Sequence, residues 1–383
     1  MSMIKSFLIH SKIQKKWIEK FKTIEDSFKA RANSNDLHAN FPFENIEWLI
    51  KEGYSLLTLP VAYGGEGATI EDMVVLQTYL GSIDGATALS IGWHLSVVGQ
   101  LYEQDLWDQR MLNRFAEDIK QGALVNRAVS EAETGSPTRG GRPATHAVKE
   151  GDVYVLNGVK TYTSMSKALT HFIVGAYVEA IDQVGFFLVS KDADGVEIAD
   201  NWNVLGMRAT ESHDLVLNDV KVPLEHFVET RGQRRPNGWI LHIPSTYLGI
   251  AQAARDYAVD FAKSYHPNSI QGTIAELSTV QQNIGKMESL LLSARHFLFS
   301  TARGYQMLDG ESQIWNETSA SKVVVMNQCL EVVDLAMRIV GAKSLEMERP
   351  LQRYYRDIRA GLHNPPMEDM AYSNIAKSVL DLF

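Results

Sequence analysis

Three stretches of this chain hold residues whose types and spacing could do chemistry. The first is Arg127-Ala-Val-Ser-Glu-Ala-Glu-Thr-Gly-Ser136. A strand pattern runs into a loop of small residues, so backbone N–H groups and the Ser130 hydroxyl can closely approach a planar ring or a phosphate. The same string can also form a β-turn in which serine is only a local cap. The second is Leu156-Asn-Gly-Val-Lys-Thr-Tyr-Thr-Ser164. Asn157-Gly158 is a strong hairpin signal, and an aromatic and a hydroxyl, Tyr162 and Ser164, stand just beyond it. The third is Leu362-His-Asn-Pro-Pro-Met-Glu-Asp369, which offers an imidazole, His363, and a carboxylate, Glu368. His94, in Ile91-Gly-Trp-His-Leu-Ser96, is a further imidazole. Neutral imidazoles can hold a proton near neutral pH. Each histidine alone also reads as a structural residue, and Glu368 as a solvated acid favoured by a helix N-terminus.

Several chemistries are excluded by what surrounds these residues. No Gly-x-Gly-x-x-Gly follows a strand and opens a helix, so a doubly wound dinucleotide site is not supported. The single cysteine, Cys329, rules out an intrachain disulfide or a multi-cysteine metal cluster and reads as a buried core thiol. No metal site is expected. A net charge of −9 argues against a nucleic-acid partner. No apolar run is long enough to span a bilayer, and the N-terminus lacks a signal-peptide pattern, so no membrane association and a cytoplasmic location are expected.

The elements that must position these residues come in three blocks. With 45% hydrophobic and 22% charged residues over 383 positions, the chain reads as ordinary globular protein of two or three domains. From about Ile13 to Lys120 apolar residues recur at three and four, as in Trp17, Phe21 and Ile24, which predicts helices. From Gly122 to about Thr230 strand candidates appear at 124–129, 153–159, 172–177, 184–190 and 215–222. Beyond Gly238 long helical patterns return over 247–264, 274–307 and 317–340. The expected class is α+β: an N-terminal α-helical domain (1–121), a central β-barrel or sandwich domain (122–232) and a C-terminal four-helix bundle (233–383).

The most informative string is Leu205-Gly-Met-Arg-Ala-Thr-Glu-Ser-His-Asp-Leu-Val-Leu-Asn-Asp-Val-Lys-Val-Pro223. It resembles the signature that ends the β-domain of the acyl-CoA dehydrogenase flavoproteins. Leu59-Pro-Val-Ala-Tyr-Gly-Gly-Glu-Gly67 resembles a glycine-rich loop of the same family, and Arg353-Tyr-Tyr-Arg-Asp-Ile-Arg359 resembles the helix before its catalytic loop. The likeness covers nearly the whole chain and is weakest over the first fifty residues. It implies the three-part fold above and a bound FAD, with FMN possible in a monooxygenase. By this resemblance Val129 and Ser130 contact the flavin ring, with the Ser130 hydroxyl near N5. Tyr162 stacks on the ring and Ser164 bonds it, while Gly135 and Ser136 border the CoA chain. Met337-Arg-Ile-Val-Gly-Ala-Lys-Ser344 resembles the element that reaches the FAD pyrophosphate of a neighbouring subunit, with Arg338 in place of glutamine and Gly341 allowing close backbone approach. The family's second cross-subunit element, Arg-x-x-Phe-Gly, is replaced by Ser264-Tyr-His-Pro-Asn268.

The family's α-proton base is missing. Counted from Arg356-Asp357 it falls on Pro365, and in a second branch, counted from Leu248-Gly249, on Trp239. Glu368, three residues beyond Pro365, is the candidate substitute. The spacing Arg356-x-x-Arg359-x-x-x-His363-x-Pro365 also resembles the reduced-flavin monooxygenases of the same fold. That likeness gives His363 and His94 catalytic roles, with His94 in the substrate-pocket wall. The implied activity is acyl-CoA α,β-dehydrogenation; a reduced-flavin monooxygenase is the alternative, and a catalytically silent flavin or CoA binding protein a further one. Implied partners are an acyl-CoA, an electron-acceptor flavoprotein or flavin reductase, and further copies of the chain in a homotetramer or homodimer.

Overall fold

The computed structural model describes residues 9–135, 141–230, 232, 237–308 and 314–380. The N-terminal helices are α1 (Lys12–His38), α2 (Phe43–Lys51), α3 (Ile70–Ile83), α4 (Gly85–Glu103) and α5 (Gln109–Lys120). Ser11 and Gln14 form a capping box at the start of α1. The same two side chains reach Asp72 Oδ1 of α3 at 2.6 and 2.9 Å, so one carboxylate fixes the start of both helices. The apolar stripe of α1 buries Trp17, Phe21 and Phe28. Of the 14 residues of α3, 13 are buried, so this helix is enclosed on all sides and forms the centre of the molecule.

The middle block contains β1 (Val125–Ala128), β2 (His146–Glu150), β3 (Val153–Lys160), β4 (His171–Val178), β5 (Gln183–Ser190), β6 (Val196–Ile198), β7 (Leu215–Pro223) and β8 (Phe227–Thr230). They make one mixed eight-stranded sheet in the order β6-β7-β3-β2-β4-β5-β8, with β1 parallel to β4. β4 shares one edge between β1 and β2, both parallel to it. The sheet curls on itself: Tyr154 of β3 packs edge-on to Phe187 of β5 at 5.1 Å, although β2 and β4 lie between them in strand order. The expected barrel or sandwich is thus a single curled sheet.

The last block is α6 (His242–Ser264), α7 (Ser278–Met307), α8 (Ile314–Val340), α9 (Pro350–Ala360) and α10 (Glu368–Val379). α6 to α9 form the expected bundle, and the short α10 adds to it by packing on α8. α6 also lies against α3 with almost no space between backbones. A Cβ on Gly249 would sit 2.3 Å from the Thr78 carbonyl oxygen, and one on Gly81 2.5 Å from that of Thr246.

Sheet and bundle meet at the turn before β7. Met207 takes a left-handed φ of 54° and is 2% exposed. Its N–H donates to Asp357 Oδ1 of α9 at 2.6 Å. A Cβ on Gly206 would lie 2.2 Å from the Arg356 carbonyl oxygen, so only glycine allows this approach. Arg356 forks onto Asp36 at the end of α1 and donates to the Leu205 carbonyl at 2.8 Å. Burial, with the Asp36 charge adding, pushes the Asp357 carboxyl up from 3.8 to about 7.

An acid with a raised folded pKa binds its proton more tightly in the fold than in the unfolded chain. Its contribution to stability is therefore full below the ordinary pKa of 3.8 and is lost as pH rises through about 7. Asp357→Asn keeps an oxygen for Met207 and is expected to flatten that decline in denaturant unfolding measured across this pH window. Asp357→Ala leaves the Met207 N–H without its acceptor and is expected to cost about 1–3 kcal/mol in the same measurement.

Candidate flavin site

β1 runs through Ala128 into Val129 and Ser130 beside the end of β3. The Ser130 carbonyl accepts the Thr161 N–H at 2.9 Å, which joins the first two sequence stretches. Behind them lies a buried ion pair, Lys160 Nζ to Glu131 Oε1 at 2.7 Å, with side chains 0% and 4% exposed. Glu131 also accepts from Thr134 Oγ1 at 2.7 Å and from the N–H groups of Ala144 and Thr145 at 2.7 and 3.0 Å. Burial opposes its ionisation, but Lys160, Thr134 and Thr145 hold its pKa down at about 2. A buried pair survives when its other lone pairs are satisfied, and here they are. The pair pins the Ser130 loop to the strand leading to Tyr162. Sequence reading missed it; the signal was a lysine closing an otherwise apolar-patterned strand.

Ser130 is half-buried, and its hydroxyl has no partner among the described residues. Tyr162 has a φ of 63° and is 67% exposed, its ring edge-on to Trp202 at 6.2 Å. The ring therefore presents an open face to solvent. Ser164 is 8% exposed and begins a hydroxyl chain: Ser164 Oγ to Ser212 Oγ at 2.9 Å, Ser212 Oγ to Thr210 Oγ1 at 2.9 Å, and Thr210 Oγ1 to the Met207 carbonyl at 2.8 Å. Gly135 has a φ of 75°, and a Cβ there would meet nothing within 4 Å. With Val129, Thr134, Gly141 and Pro143 it lines a narrow crevice with no room for a water molecule. Ser136 lies outside the described residues. A larger open cleft, between the Val61–Tyr63 turn and α5, holds none of the site residues.

The remaining candidates are more widely placed. His363 is exposed in the loop after α9, and the next residue, Asn364, accepts from Tyr247 Oη of α6 at 2.7 Å. Glu368 is exposed on the first turn of α10 and accepts from Asn327 of α8 at 3.2 Å. Arg338, near the end of α8, is exposed and has no partner among the described residues; Gly341 follows with a φ of 67°. His94 differs from all of these. It is 0% exposed, its Nε2 donates to the Ser55 carbonyl at 3.0 Å, and its Nδ1 accepts from the Val125 N–H at 3.2 Å. With both ring nitrogens spent on backbone, His94 has no atom to offer a substrate; it ties α4 to β1. Burial pulls its pKa down to about 4.

A second buried histidine escaped sequence reading. His242, at the start of α6, is 0% exposed and neither ring nitrogen has a partner among the described residues. It packs edge-on to Trp93 at 4.7 Å, and burial holds its pKa at about 3. Trp239 fills the alternative base place. It is 5% exposed, packs where a Cβ on Gly99 would be 2.4 Å from its ring, and donates its indole N–H to Glu103 at 3.0 Å. Among the described residues no helix is long and apolar enough to cross a membrane, and no group of three or more His, Cys, Asp or Glu could hold a metal ion.

Helices, one curled mixed sheet and helices again define the class of fold, and comparison with known proteins gives the family. The chain matches "Acyl-CoA dehydrogenase, N-terminal domain" over residues 15–114, the middle domain over 126–220 and the C-terminal domain over 241–364. It belongs to the acyl-CoA dehydrogenase family. It is 50% identical to the putative acyl-CoA dehydrogenase YdbM of Bacillus subtilis (strain 168), over 98% of this chain and 100% of that protein. It is 28% identical to the amino sugar nitrososynthase RubN8 of Streptomyces rubradiris, over 88% of this chain and 83% of that one. Among solved structures, KijD3 in complex with FMN has the same fold, with a TM-score of 0.86 at 24% identity, over 97% of this chain and 95% of that one.

A histidine with a lowered folded pKa takes its proton more readily in the unfolded chain. Stability is therefore present above the ordinary value of 6.5 and is lost as pH falls through about 4 for His94 and about 3 for His242. This slope is opposite to that from Asp357. His242→Leu is expected to weaken the acid-side loss without lowering stability at pH 8. His94→Ala strands two backbone groups and is expected to cost about 2–4 kcal/mol. Thermal unfolding across pH checks both.

Proposed function

We propose that this protein is a flavin-dependent oxidoreductase that works without the carboxylate base of the acyl-CoA dehydrogenases, as a monooxygenase component using reduced flavin and dioxygen. One observation carries the reading: the two places where the family's base falls hold Pro365 and Trp239, neither of which can take a proton. A positioned general base is worth roughly 10²–10⁴-fold, so its loss at both places argues for chemistry that does not begin with α-proton removal.

The residues present fit a flavin. The Tyr162 ring gives a stacking face, and the Ser130 and Ser164 hydroxyls can bond its polar edge. The unpaired Arg338 suits a phosphate, bidentate where geometry allows. Its exposed position at the end of α8 supports a site completed by a second copy, and hence a homodimer or homotetramer. The adenine end is less provided for. Where the family resemblance places Arg-x-x-Phe-Gly, Tyr265 instead stacks on Phe261 at 5.0 Å, with Lys343 Nζ 4.6 Å over its ring. That arrangement supports FMN, or a loosely held FAD, exchanged with a flavin reductase. Bound reduced flavin would supply the electrons that activate dioxygen. In this reading His363 holds or passes a proton at its ring nitrogens.

A second reading is α,β-dehydrogenation of an acyl-CoA, with electrons passed to an acceptor flavoprotein. It is favoured by Glu368, a carboxylate on the first turn of α10 three residues past Pro365, and by the similarity to a putative acyl-CoA dehydrogenase.

Purified protein is expected to consume oxygen with FMN and a flavin reductase, and to show no flavin bleaching when acyl-CoAs are titrated anaerobically. Bleaching by an acyl-CoA, lost in Glu368→Gln, would establish the second reading instead. Tyr162→Ala is expected to weaken flavin binding about tenfold or more, as removal of a stacking ring does. His363→Ala is expected to lower oxygen chemistry while leaving flavin affinity in place; an unaffected oxygenase assay removes His363 from the mechanism.

A further inference from the structure

The hydroxyl chain behind Ser164 has a fixed direction. The Met207 carbonyl can only accept, so the 2.8 Å bond uses the single hydrogen of Thr210. That carbonyl also accepts from Trp202 Nε1 at 3.1 Å, which holds it in place as an acceptor. Thr210 Oγ1 must then accept from Ser212 at 2.9 Å, and this uses the hydrogen of Ser212. Ser212 Oγ in turn accepts from Ser164 at 2.9 Å, which uses the last hydrogen. Ser164 therefore has only lone pairs left for anything that reaches its remaining 8% of exposed surface. Ser212 and Thr210 are 4% and 1% exposed, so water cannot readily supply an alternative partner that would reverse the chain.

We infer that Thr210 and Ser212 are positioning residues that fix Ser164 as a hydrogen-bond acceptor, so that the site favours a flavin presenting an N–H there, its reduced form. This rests on the proposed flavin role of Ser164, with its hydroxyl rather than that of Ser130 facing the N5 position of the ring. An acceptor oxygen meets the N5–H of reduced flavin favourably. It meets the bare N5 of the oxidised ring lone pair to lone pair. A serine free to rotate would serve both forms by turning its hydroxyl; the relay removes that freedom. The preference suits a protein that receives reduced flavin from a separate reductase and must hold it long enough to use it.

Dissociation constants of oxidised and anaerobically reduced FMN, measured by equilibrium binding, test the inference independently of turnover. Wild type is expected to bind the reduced form more tightly. Ser212→Ala and Thr210→Val each release the Ser164 hydrogen, and each is expected to shift the ratio about 2- to 10-fold towards the oxidised form, the worth of one neutral hydrogen bond. Ser212→Thr and Thr210→Ser rebuild the relay and are expected to keep the wild-type ratio. An arm without mutations uses oxidised 5-deaza-FMN, which carries C–H in place of bare N5. Wild type is expected to bind it more tightly than oxidised FMN, and equal or weaker binding counts against the relay. Unchanged ratios in folded Ser212→Ala and Thr210→Val overturn it while leaving the flavin site intact. Failure of wild type to bind any flavin instead overturns the proposed function, and the relay with it.

Discussion

The peptide of Met207 is the point on which the rest of the structure depends. Its N–H reaches Asp357 in α9, and its carbonyl accepts from both Trp202 and Thr210. A left-handed backbone on a non-glycine residue costs on the order of 1 kcal/mol, and these three bonds offset it. One of them joins the sheet to the bundle. The other two run towards the proposed flavin face: Trp202 backs the Tyr162 ring, and Thr210 begins the relay to Ser164. A shift of this one peptide would move both the stacking platform and the hydroxyl beside it.

The interior separates groups that hold the fold from groups left available. His94 is neutral and fully occupied by backbone. The Lys160–Glu131 pair is charged, but its carboxylate is matched by an ammonium, a hydroxyl and two N–H groups, the condition under which a buried ion pair is tolerated. By contrast the Ser130 hydroxyl, the Tyr162 ring and Arg338 have room for a further partner. Buried polar groups are normally satisfied within the fold, whereas these three are open to solvent and are the ones the proposed flavin site would use.

The architecture and the reaction come from different parts of the molecule. Close helix packing at Gly81 and Gly249, the curled sheet and the Met207 turn make the family fold whatever stands at positions 239 and 365. A fold of this kind carries different chemistries by changing a few side chains. Under the proposed reading, proline at one base place and tryptophan at the other would remove a proton acceptor without disturbing the scaffold. Trp239 even adds to the packing, filling the space left by Gly99 and bonding Glu103.

The order of helices, strands and helices was legible in the sequence because periodicity records which side of an element faces apolar surroundings. Strands β3, β4, β5 and β7 carry long apolar patterns and were expected close to where they lie. β2 was not, because four of its five residues are exposed and it has no apolar face to betray it; β6 is only three residues long. The sequence also determined the family, through motifs spread over nearly the whole chain. Tertiary structure alone decided that His94 is spent on backbone, that His242 is buried beside Trp93, that Lys160 and Glu131 pair, and that the Ser164 hydroxyl is directed by Thr210 and Ser212. Each of these depends on residues distant in the chain or on which hydrogen goes to which oxygen. Residue type and spacing do not carry that information until the backbone brings donor and acceptor within about 3 Å of one another.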